Sequence, residues 1–90
     1  MSDQVVDAVT ARAIQVDAAR SCALFAWIIL KDQADYPSKF VARLATEHPT
    51  IYVMVADTLA EVQAMLPHGL AHAARGNADP PEVVEIWLSP

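Results

Sequence analysis

Between Ala23 and Leu30 bulky apolar side chains occupy both parities, Leu24, Ala26, Ile28 and Leu30 alternating with Phe25, Trp27 and Ile29. A strand covered on both faces reads this way, so this run is the predicted central strand. A helix continuing from the residues before it would give the same short run, and periodicity alone does not separate the two. The polar stretch Lys31 to Ser38, which contains Pro37, predicts a connection. Two β-rich runs follow, Lys39 to Ala45 and Ile51 to Ala56, joined by Thr46-Glu47-His48-Pro49-Thr50. Together the three runs predict a β-meander.

The flanking segments carry helical spacing. Over residues 2–20, Val5, Val9, Ala13 and Val16 recur at intervals of three and four, with Ser2 as a cap and Asp3 and Asp7 in place to favour the positive end of a helix dipole. Thr58 and Glu61 form a T-x-x-E capping box, and the helix it opens aligns Leu59, Val62, Met65 and Leu66 before Pro67 and Gly69 stop it. Residues 67–81 then read as a long loop, a length that suggests a task. Glu82 to Leu88 closes the pattern as a strand, with Val84, Ile86 and Leu88 on one face and Val83, Glu85 and Trp87 on the other.

The predicted fold class is therefore α+β: an N-terminal helix over 1–21, then β-β-β-α-β over 22–90, in one domain spanning 1–90. The four-stranded mixed sheet has the predicted order 3-2-1-4, with the second helix packed on one face. A right-handed crossover through that helix lays the last strand parallel to the first.

Ala26-Trp27-Ile28-Ile29, Tyr36-Pro37-Ser38-Lys39-Phe40-Val41-Ala42-Arg43-Leu44, Val55-Ala56-Asp57-Thr58-Leu59-Ala60-Glu61 and Ala78-Asp79-Pro80-Pro81-Glu82-Val83-Val84-Glu85-Ile86-Trp87 resemble a family of short bacterial proteins without assigned function, over about residues 26–88. More distantly, the meander ending in Asp57-Thr58-Leu59-Ala60-Glu61 is similar to the partial ribonuclease-H-like fold of HicB-type antitoxins. That resemblance implies binding and occlusion of a small protein. It does not imply operator binding, because no helix-turn-helix or basic ribbon follows the last strand.

Composition narrows the function classes. The chain has 90 residues, enough for one compact core, and is 54% hydrophobic with two glycines. Its net charge of −5 repels phosphate backbones and anionic lipids, which disfavours nucleic acid and membrane surfaces. The longest apolar run, Cys22 to Leu30, is about half of the ~20 residues that span a bilayer. One cysteine, Cys22, permits no intrachain disulfide, and its apolar flanks suggest a buried thiol in a reducing compartment. With no basic, apolar leader at the start, a cytoplasmic location is expected.

Candidate chemistry is sparse. His68 and His72 stand four apart, a metal-ligand spacing on a helix that Pro67 and Gly69 make doubtful; with Asp79 they form the candidate metal set. Asp57, with Asp35, is a weaker magnesium candidate that capping explains without chemistry. Tyr36, Lys39, Arg43 and Trp87 are the candidate partner-binding residues, the two cations suited to an acidic group or alternatively to ion pairs with Asp32 or Asp35. Trp27 and Trp87 fall on neighbouring strands and suit core packing. No glycine-rich phosphate loop, nucleophile elbow or Cys-x-x-Cys pair is present, and no cofactor is implied. The expectation is a non-enzymatic, antitoxin-like module that binds a protein partner, or a second copy of itself through its first helix or a sheet edge. The alternative is a small metal-binding protein or enzyme with its site on residues 67–81.

Overall fold

The computed structural model describes residues 3–21, 24–47, 49–73 and 81–89. In chain order the elements are β1 (Gln4–Val5), α1 (Ala8–Ser21), β2 (Ala26–Gln33), β3 (Tyr36–Ala45), β4 (Pro49–Ala56), α2 (Leu59–Met65), β5 (Ala71–Ala73) and β6 (Val83–Leu88). The chain is α+β, and its strands form one six-stranded sheet in the order β1-β4-β3-β2-β6-β5. The four-stranded sheet expected from the sequence is corrected to six, because β1 and β5 have two and three residues and are too short to show an alternating pattern.

The apolar run at Phe25 is a strand, not a continuation of α1. Trp27 lies opposite Leu44 of β3 and Trp87 of β6, so β2 is paired on both sides. The predicted connection over 31–38 shrinks to a turn at Ala34 and Asp35. β2 and β3 run on through it by means of a register shift between Lys31 and Gln33, and Asp32 and Ser38 take positive φ of 54° and 64°.

The parallel placement of the last strand is also corrected. β4 is parallel to β2, since both pair antiparallel with β3. The crossover through α2 does reach a strand parallel to β4, but that strand is β5 at the far edge. The chain then reverses, and β6 enters between β5 and β2, antiparallel to both. The long predicted loop thus contains an edge strand.

Helix α1 begins at Ala8 rather than near Ser2. Asp7 caps it, its Oδ1 accepting the Thr10 amide at 2.8 Å and its carbonyl the Ala11 amide at 2.9 Å. The face turned to the sheet carries Ala11, Ile14 and Ala18, small side chains that let helix and sheet approach closely. The expected valine stripe points elsewhere: Val9 is 80% and Val16 47% exposed, and Val5 belongs to β1.

Both helices pack on the same side of the sheet, on the core of Trp27, Ile29, Leu44, Met54 and Val62, all buried. The register sends Ile28 and Leu30 of β2, Val41 and Arg43 of β3, Ile51, Val53 and Val55 of β4 and Ile86 and Leu88 of β6 to the opposite face. No described helix packs on that face. Among the described residues no helix is long and apolar enough to cross a membrane.

Candidate functional site

Among the described residues, two places gather polar side chains against apolar surroundings. The first is the helix-free face. Strand alternation brings Arg43 to it, opposite Val53 of β4, and the parallel pairing of β1 with β4 carries Asp3 alongside. The guanidinium donates from Nη1 and Nη2 to the two oxygens of Asp3 at 2.9 and 2.8 Å, a bidentate pair, and Nη1 also reaches the Thr50 carbonyl at 2.9 Å. The Tyr36 hydroxyl donates to the same carboxylate at 3.2 Å.

The electrostatics follow from this geometry. Hydrogen bonds from Arg43 hold the Asp3 carboxyl below its ordinary value, and the same bond raises Arg43 further above the range in which it would lose its proton. Burial, then the bond to ionised Asp3, pushes the Tyr36 phenol up. With side-chain exposures of 24% for Arg43 and 18% for Asp3, the pair is a neutral, half-buried unit. The surrounding face is aliphatic: Val41 and Val53 at its centre are fully buried and Val83 nearly so, Ile28, Leu30, Ile51, Val55 and Ile86 are half-buried, and Leu88 at the rim is 41% exposed. At one end a groove of about 360 Å³ opens between Leu24, Ala26, Ile28, Ala45 and Leu88.

The second place lies on the helix side. Glu85 alternates onto that face beside Trp87, and its carboxylate accepts from Gln63 of α2 at 2.6 Å and from the Trp87 indole at 3.3 Å. His72 Nε2 lies 3.3 Å from the other oxygen, and its ring sits 4.7 Å from that of Trp87. A shallow cleft of about 370 Å³ between the end of α2 and Trp87 adjoins it, with His68 on its wall. Chemically the cluster is a clamp: Glu85 Oε1 joins α2 to β6 through Gln63 and Trp87, and His72 of β5 faces its other oxygen.

The candidate residues therefore sort differently from their sequence grouping. Tyr36 and Arg43 do come together, but through Asp3 rather than Asp32 or Asp35. Lys39 shares their face and pairs with Asp57 instead. Trp87 lies on the opposite face with Glu85. His68 sits in the turn after α2 and His72 in β5, so no helix presents them together. Asp79 and Cys22 lie outside the described residues, and among those described no three histidine, cysteine or acidic side chains gather in a metal-holding group. Asp3, Gln63 and Glu85 were not singled out for these roles. Glu85 leaves a trace in the sequence, a carboxylate inside an apolar strand that must find partners. Asp3 leaves none, because its partner is forty positions away.

No family model, no curated protein and no solved structure matches this chain.

Proposed function

We propose that the protein is a non-enzymatic binding module that works by protein–protein association, antitoxin-like in holding a partner rather than transforming a substrate. One observation supports this reading: around the buried Val41 and Val53 the helix-free face of the sheet presents a partly exposed aliphatic rim, Ile28, Leu30, Ile51, Val55, Ile86 and Leu88, and the Arg43 charge among them is neutralised by Asp3. Among the described residues the metal-binding or enzymatic alternative has in its favour the cleft beside Trp87, with His68 on its wall.

The test is capture of interacting protein from cells that express the tagged chain, with two charge variants as controls. A partner retained in near-stoichiometric amount by the native chain should be lost with Ile86→Lys on the helix-free face and kept with Val16→Lys on the exposed side of α1. Retention that is indifferent to Ile86→Lys, or nothing retained, would count against the proposal.

A further inference from the structure

We infer that β5 is a protonation-dependent latch on the outer edge of β6: with its ring charged, His72 holds the strand against Glu85, and with its ring neutral the strand loosens. The latch sits at the far edge of the sheet and is independent of the helix-free face.

β5 is a weakly held element. It has three residues, Ala71–Ala73, at the end of the six-stranded order, and among the described elements it packs chiefly on β6. Two of its side chains are methyl groups, set opposite Leu88 and Ile86, and a methyl takes little apolar area out of water. An edge strand with so few buried apolar contacts belongs to the low-stability end of a fold. What remains to hold it is His72. Register sets this residue opposite Trp87, its ring 4.7 Å from that of the indole, and its Nε2 lies 3.3 Å from Glu85 Oε2.

Glu85 is fixed independently of β5. Its Oε1 accepts from Gln63 at 2.6 Å and from the Trp87 indole at 3.3 Å, and its side chain is 17% exposed against 48% for His72. The carboxylate therefore belongs to the body of the fold and the imidazole to its edge. Glu85 is the charged group in contact with His72, α2 contributes the uncharged Gln63, and His68 stands on the wall of the adjoining cleft. Among the described residues no lysine or arginine pairs with Glu85.

Histidine is the side chain whose charge changes between about pH 5 and 8. An imidazolium at this distance makes an ion pair with a carboxylate, whereas a neutral ring keeps at most a hydrogen bond, about half as strong. The attraction is thus present at the acid end of that range and is lost as pH rises. For a partly exposed pair it changes the opening equilibrium of β5 by a factor of about two to five. Opening unpairs the outer backbone groups of β6, the kind of edge to which another strand can add.

Hydrogen exchange of the full chain, followed by NMR at about pH 5.5 and about pH 8, tests this when expressed as protection factors, which divide out the intrinsic pH dependence of exchange. Protection of the amides that pair β5 with β6 should fall about two- to fivefold from the acid to the alkaline condition, while the β2–β3 amides keep theirs. His72→Gln should show the looser value at both pH values, as should Glu85→Gln, and His68→Gln should leave the native dependence in place. Circular dichroism confirms that each variant folds, and the half-exposed His72 keeps the test open if Glu85→Gln does not. Protection that is flat with pH in the native chain overturns the inference. So does a fall that survives in His72→Gln, vanishes in His68→Gln, or appears equally in β2–β3.

Discussion

Arg43 shows what one side chain does in this fold. Its guanidinium ties β3 to the residue preceding β1 and to the Thr50 carbonyl, while Tyr36 adds a bond to the same carboxylate. Asp3 is favoured ionised and Tyr36 protonated, so the cluster contributes on both sides of neutrality, with opposite signs. The Asp3 carboxyl lies below its ordinary value of 3.8 when folded, so its contribution is present above that pH and is lost as pH falls through the folded value. The Tyr36 phenol lies above its ordinary value of 10.0 when folded, so its share is present below that pH and is lost as pH rises through the folded value. Urea titrations across pH should show Asp3→Asn destabilised by about 1–2 kcal/mol at neutral pH, since a half-buried Arg43 loses its counterion. Part of the native decline below pH 3.8 should be absent in that variant, and Tyr36→Phe should flatten the alkaline side. Equal slopes in native and variant proteins would refute the assignment. Arg43 and Tyr36 were legible in the sequence as paired-capable groups bracketing a hairpin, but the choice of Asp3 over the nearer Asp32 and Asp35 was not. That choice is made by the parallel pairing of a two-residue strand, which no local pattern encodes.

Elements were legible in proportion to how local their signals are. The capping box at α2 is present: Thr58 Oγ1 accepts the Glu61 amide at 3.1 Å, although the Glu61 carboxylate meets the Thr58 hydroxyl rather than its amide. The helix ends at Met65, just before Pro67. The meander was legible too, through its apolar runs. The start of α1 was not, because Ser2 and Asp7 are both competent caps and only β1, which occupies Gln4 and Val5, decides between them. The short β5 was hidden inside a loop of turn residues. α2 matters beyond its own turn, because Val62 is fully buried and Gln63 holds Glu85. Thr58→Ala should therefore cost about 1 kcal/mol and should do so with α2, β5 and β6 loosened together. Hydrogen exchange should quicken in all three, while the β2–β3 amides change only as much as global stability falls. A variant that loosens α2 alone would show that the Glu85 clamp does not couple these elements.

At the scale of the whole molecule, strands apolar on both parities announced a sheet covered on both sides, and the described helices cover one. On the other face Val41 and Val53 are buried within the chain itself and the aliphatic rim is half-buried, and the sequence does not say what, if anything, covers that rim, since a covering helix and a covering copy demand the same side chains. If the layer is a second copy, stability is coupled to concentration. Unfolding that releases two chains from one dimer gains or loses about 1.4 kcal/mol per mole of dimer for each tenfold change in protein concentration. For a urea dependence of about 1.5–3 kcal/mol/M, the midpoint should climb by roughly 0.5–1 M per decade. This holds above the dissociation constant; below it the midpoint should level off at the value of the isolated chain. Leu88→Lys should show that lower midpoint at every concentration, with no slope, because its charge acts on the interface and not on the Trp27 core. Val16→Lys should keep the native slope, being on the exposed side of α1. A native midpoint that does not move across two decades of concentration would mean that the chain is stable without a second copy on that face.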